Sequence, residues 1–184
     1  MQLSTLVVLV FVVALGVLNF TSNKNAPSPE LVPELLLEQH VANTSNTSDA
    51  HTQLLELHNQ ARQQSSLFAD IRECDRPARL NSTPPLRWNK ALSRAAQRQA
   101  DWMAAQHTLS HGSALKRRAK SVGYGYQAIA ENIAKINPSS SAERLMSLWV
   151  SSRAHCTNIY NADYRDIGIG SSNGYWAVIL GREF

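Results

Sequence analysis

The stretch Ser147–Tyr160, SLWVSSRAHCTNIY, places a Trp, a Ser pair, a His and one of only two cysteines of the chain within a few residues of one another. Polar and reactive side chains are costly to bury without partners, so this segment either hydrogen-bonds locally or lines a site. Ser151 or Ser152 can cap a short helix running to Tyr160, and the run Ser139-Ser140-Ser141 can cap a preceding helix from about Ala142 through Val150. Two consecutive helices are therefore expected here. Neighbouring residues on a helix diverge by about 100°, so His155 and Cys156 cannot share one direction.

Working outward, Asn89 is positioned to cap a strong amphipathic helix in which Leu92, Ala95, Ala96, Ala100, Met103 and His107 follow i, i+3, i+4 steps. Another helix begins near Ala50, with Leu54, Leu57 and Ala61 at helical spacing and Leu55 and His58 beside them. Arg72 to Pro85 reads as a long loop. The segments LSHGS and GYGYQAIAENIA read as a connecting loop, whereas DIGIGSS and GYWAVILGREF are β-rich runs separated by Ser-Asn-Gly, the signature of a closing hairpin. Helices first and a hairpin last define the fold class as α+β.

The N-terminal 20 residues, MQLSTLVVLVFVVALGVLNF, contain an apolar run the length of a signal-peptide core and short of the roughly 20 residues that span a bilayer comfortably. No Lys or Arg precedes the run and no small-x-small site follows it, so residues 1–20 read as a signal peptide or an uncleaved N-terminal membrane anchor. Residues 21–50, rich in Pro, Ser, Thr and Asn, read as a polar flexible tether with a short helix over Pro33–His40. Residues 51–184 form the expected domain. A secreted or cell-envelope location follows. There Cys74 and Cys156, the only cysteines, invite one disulfide, which would close a loop of roughly 80 residues and contribute about 4 to 5 kcal/mol on the chain-entropy model. Neither belongs to a Cys-x-x-Cys pair, which leaves a thiolate metal site as the lesser alternative.

Several function classes are excluded. The net charge of +4 and the run Leu115–Lys120 do not come with a nucleic-acid reading module, so the basic run reads as a solvated loop or helix end and no nucleic-acid partner is expected. Gly170-Ser171-Ser172-Asn173-Gly174 fits G-x-S-x-G, but a nucleophile elbow needs a strand-to-helix turn and here strand leads to strand. Gly123-x-Gly125-x-x-Ala128 has no strand before it and no acid at the right distance for a dinucleotide. A disulfide at Cys156 would remove its thiolate, which argues against cysteine catalysis.

Dispersed ligand-type residues remain: His111, Glu131, Glu143 and His155. The segments HNQAR, PPLRWNKALSRAAQRQADWM, LSHGS, AENIA, SLWVSSRAHCTNI and the closing GIG and YWAVILG, in that order, resemble the CAP (SCP/PR-1-like) superfamily in its bacterial exported form. The resemblance implies an α-β-α sandwich with a small central antiparallel sheet and a cavity lined by two His and two Glu. By position, His111 and His155 correspond to the cavity histidines and Glu131 to the Glu of the family's GEN motif. Glu143 is the fourth candidate. Ala130 stands where the family usually shows Gly. Imidazoles and carboxylates together suit zinc or another divalent metal, and a water-filled hydrogen-bonded cavity is the alternative. His58 and His107 read as core or boundary histidines, and Asn59 and Arg62 as ties between the first helix and the sheet. The functional expectation is a secreted or envelope-tethered protein that acts by binding an extracellular or envelope ligand (protein, lipid or cell-wall component). The alternative is a metal-assisted or acid-base hydrolase, peptidase-like, that uses the same cavity.

Overall fold

The computed structural model describes the backbone of residues 34–64 and 83–184, with side chains from residue 48 onward. The apolar N-terminal run and Cys74 lie outside the described residues. In chain order the elements are α1 (Glu34–Gln63), β1 (Arg87–Trp88), α2 (Lys90–Ala105), α3 (Leu115–Ser121), β2 (Tyr126–Lys135), α4 (Ala142–Val150), α5 (Arg153–Tyr160), β3 (Asp166–Ser172) and β4 (Tyr175–Glu183).

The closing hairpin builds the centre. Asn173 and Gly174 both have positive φ, 49° and 79°, as a two-residue turn matched to strand twist requires. β4 therefore pairs antiparallel with β3 and, on its other side, with β2, while β1 adds a short parallel pair, giving the order β1-β3-β4-β2. β4 is covered on both faces, and its period of two sorts its residues between them. Trp176, Val178 and Leu180 pack with α1, α4 and α5, whereas Tyr175, Ala177 and Ile179 pack with α2 and α3. The result is an α-β-α sandwich with two apolar layers.

α2 lies unusually close to the sheet. A Cβ at Gly168 would fall 2.2 Å from the Leu92 carbonyl carbon, and one at Gly170 would fall 2.2 Å from the Gln97 nitrogen. No side chain fits at either position, which is the physical content of the GIG run. The facing side of α2 is correspondingly small, with Ala95, Ala96 and Ala100 buried. Asn89 caps α2 by accepting from the Ala91 and Leu92 amides. On the opposite layer, Ser141 caps α4, and Trp149 donates its indole N–H to the Ile133 carbonyl at 3.1 Å, tying α4 to β2.

Four readings of the sequence change. GYGYQAIAENIA is not a loop, because its C-terminal part forms the ten-residue strand β2. It lacks clean alternation, and pairing with β4 makes it a strand. The basic run at Leu115 is helix α3. Ser152 occupies the N-cap of α5 without a side-chain hydrogen bond. Finally, the short helix expected over Pro33–His40 and the one expected from Ala50 are parts of one helix, α1, so residue 50 falls inside a helix.

His58 is fully buried on α1, with Nδ1 2.7 Å from the Leu54 carbonyl and its ring 5.9 Å from that of Trp149. Burial pushes its pKa from 6.5 down to about 4, opposed by the Leu54 hydrogen bond and assisted by the charge of Arg62. A depressed histidine stabilises the fold fully above its unfolded value, and that stability is lost as pH falls through 6.5 toward 4. The loss expected from His58 is about 3 kcal/mol. His51, also lowered to about 4 by burial, titrates in the same window. Urea unfolding at pH 7 and pH 4.5 should show the loss, and His58→Gln should reduce it to the share due to His51, whatever its effect on stability at pH 7.

Candidate functional site at the free edge of the sheet

β2 is an edge strand, and the two layers meet along it. Its adjacent residues Glu131 and Asn132 face opposite layers, as strand geometry demands. Asn132 is fully buried on the α5 side, where its Nδ2 donates to the His155 carbonyl at 3.1 Å and its Oδ1 accepts from Asn158 Nδ2 at 2.9 Å. These bonds hang α5 on the strand and fix where His155 stands.

On the other side Glu131 is buried, with Oε1 3.1 Å from His111 Nδ1 and Oε2 accepting from Arg118 Nη2. A carboxylate oxygen beside a guanidinium accepts, so His111 donates to it through Nδ1–H, and its Nε2 edge is left without a partner among the described residues. The His111 side chain is half exposed, at 53%. The loop that carries it is held by Gln99, buried on α2, whose Nε2 donates to the Ser110 carbonyl at 2.6 Å. Gly112 follows with φ of 56°, and its amide donates to Ser110 Oγ. LSHGS is thus a braced turn that projects one imidazole.

His155 is half-buried. Its pKa is lowered by burial first and then by the charge of nearby His111, so two imidazoles from opposite layers share the edge of β2 with one carboxylate. Glu143 lies elsewhere. It is exposed on the first turn of α4, where it accepts from Gln53 on α1, and no hydrogen bond or ion pair joins it to the other three. Its pKa is lowered by hydrogen bonds at the α4 N-terminus, chiefly from Ser141. His107, read as a core or boundary residue, is exposed just beyond α2 with φ of 50°, where it ends the helix.

The donor set as placed does not fit a divalent ion. Among the described residues no three His, Cys, Asp or Glu side chains stand close enough to hold one. The charge a metal would supply to Glu131 is already supplied by the guanidinium of Arg118.

Arg118 is the residue that the sequence reading missed, because the basic run was treated as one solvated segment. Its signal was present: Leu115, Arg118, Ala119 and Val122 stand at i, i+3, i+4, i+7. The structure buries Ala119 and packs Leu115 and Val122 against the same layer. That phase alone selects Arg118 to turn inward, while Lys116, Arg117 and Lys120 stay exposed.

A three-layer sandwich whose sheet edge carries two histidines around a buried glutamate defines the class. The chain belongs to the cysteine-rich secretory protein (CAP) family, whose pattern matches residues 55–178. Among solved structures it is similar to an extracellular protein containing an SCP domain from Bacillus anthracis str. Ames, with a TM-score of 0.61 and 21% identity, covering 74% of this chain and 41% of that one. It is also similar to a cysteine-rich secretory protein from Staphylococcus aureus subsp. aureus Mu50, with a TM-score of 0.59 and 17% identity, covering 74% of this chain and 39% of that one. At these identities the likeness is one of fold, and the chain spans about two-fifths of each protein's length. No curated protein sequence matches it.

Breaking one member of a buried ion pair strands the other charge. Arg118→Ala should therefore destabilise the protein by about 3 kcal/mol. Adding Glu131→Gln to that variant should recover a large part of the loss, because a neutral amide needs no cation. Urea unfolding of the two single variants and the double variant measures the coupling, and additive effects would mean that the pair is not an interacting unit.

Proposed function

We propose that this is an extracytoplasmic CAP-domain protein that acts by binding, through His111, Glu131 and His155 at the edge of β2. The observation that carries this reading is the buried Glu131, held at one oxygen by His111 and at the other by Arg118. That network presents the half-exposed imidazole of His111, with the half-buried imidazole of His155 nearby, to an incoming group. The carboxylate stays locked in place. Support for an extracytoplasmic location comes from the apolar segment at residues 1–20 and from the extracellular description of the B. anthracis protein. Residues 21–50 are proposed as the connection from that segment, which serves as signal peptide or anchor, to the domain.

Zinc titration distinguishes this binding site from a metal centre. Wild-type protein should bind zinc weakly, and Arg118→Ala should bind it more tightly because the carboxylate is released. Tight wild-type binding lost in both His111→Ala and His155→Ala would replace this reading with a metal site. Hydrolysis is the second reading, and the specific observation in its favour is the lowered pKa of His155, which keeps that imidazole neutral and able to accept a proton at neutral pH. A peptide and ester panel should show no turnover that disappears in His155→Ala.

Cys156 is fully buried on α5, and a bridge to Cys74 is part of the proposal. Non-reducing peptide mapping of exported protein should recover the two cysteines in one linked peptide pair, and free thiols at both positions would remove the bridge from the account.

A further inference from the structure

Between α2 and the turn and helix α3 that follow it lies a cleft of about 460 Å3. Arg98 and Trp102 on α2 line it, together with Gly112, Arg117 and Arg118 from the turn and helix that follow. No acidic residue is among its lining. Three guanidinium groups around one space repel one another unless a negative charge sits between them. Only Arg118 has such a charge, from Glu131. Arg98 donates to a neutral hydroxyl, Ser121 Oγ, at 2.9 Å, and Arg117 makes no hydrogen bond or ion pair to any described residue. Arg118 Nε is buried without a hydrogen-bond partner.

Trp102 completes the arrangement. Its ring is 43% exposed, one of the few large apolar side chains left open on the described surface. An exposed indole beside guanidinium groups offers a flat apolar face next to fork-shaped donors. Guanidinium matches carboxylate and phosphate oxygens in bidentate geometry, whereas indole covers planar or apolar carbon. The volume falls within the range of sites that enclose small molecules, about 300 to 1,000 Å3.

We infer that this cleft binds a small organic anion, a carboxylate or phosphate ester whose planar or apolar portion lies against Trp102 while Arg98 and Arg117 take the oxyanion. The site is separate from the His111, Glu131 and His155 cluster, and its test uses none of those residues, so either reading can fail alone.

Calorimetry on the full chain with 1-naphthyl phosphate tests it, with inorganic phosphate and 1-naphthol as the two half-ligands. Naphthyl phosphate should bind saturably at one per chain, at least about tenfold more tightly than either half, and more weakly as salt is raised. Arg98→Ala combined with Arg117→Ala should weaken it by at least about tenfold, and Trp102→Ala should abolish its advantage over inorganic phosphate. Arg98, Arg117 and Trp102 are exposed, so these variants should keep the wild-type circular dichroism spectrum. Arg144→Ala, which removes an exposed charge on α4, should bind as wild type does. The inference is overturned if naphthyl phosphate shows no saturable binding at millimolar concentration, if the double arginine variant binds it unchanged, if Arg144→Ala weakens it as much, or if inorganic phosphate binds as tightly.

Discussion

The guanidinium of Arg62 holds three parts of the chain in one place. It is 1% exposed, and each of its nitrogens donates to a backbone carbonyl: Nε to Pro84, Nη1 to Ile159 and Asn161, and Nη2 to Tyr164. A buried cation without such partners would be prohibitively costly, and with them it becomes a junction. Two of the carbonyls belong to the end of α5, where the helix dipole favours a positive charge. Burial, with Arg165 nearby, lowers the pKa to about 10, which leaves the group charged at neutral pH. Asn59, one turn earlier on α1, exchanges two hydrogen bonds with the backbone of Leu86. Together these residues fasten α1 to the segment entering β1 and to the connection from α5 to β3, rather than to the sheet itself as the HNQAR motif suggested.

The sheet depends on that fastening because its two faces are covered on different terms. Toward α2 the contact is backbone against backbone, made possible by Gly168 and Gly170. Toward α1, α4 and α5 it is side chain against side chain, with Trp149, Leu145, Met146 and Ile159 buried. A helix seated directly on a strand has little freedom to shift, so α2 sets the position of the 110–118 segment through Gln99. The α5 layer is instead positioned by polar pins, Arg62 at its C-terminal end and Asn132 beside His155. The candidate site is the seam between a rigid layer and a pinned one.

Arg118 joins the two polar features of the molecule. One side of its guanidinium neutralises Glu131, and the same side chain forms a wall of the arginine-lined cleft. A ligand that draws Arg118 toward the cleft would loosen the hydrogen-bonded carboxylate, and one that displaces it from Glu131 would alter the cleft. The two sites are therefore physically adjacent without sharing the residues proposed to bind each ligand.

Much of this was legible in the residues themselves. Helix phase and cap chemistry placed α2 at Asn89 and α4 after the Ser139-Ser140-Ser141 run, because those signals act within one or two turns. The Asn173-Gly174 turn announced the β3–β4 hairpin for the same reason. The motifs around His111, Glu131 and His155 marked these residues as candidates. What depended on the assembled fold was everything set by partners distant in sequence. β2 became a strand only through pairing with β4, since its own alternation is weak. Glu143 has the chemistry of its companions, but α4 turns it toward Gln53 on α1. The inward turn of Arg118 was written in the phase of Leu115, Ala119 and Val122, yet its role could not be read without the buried carboxylate opposite. Local geometry is encoded within a few residues, whereas the pairing of a charge with its counter-charge is decided by which surfaces the sheet brings together.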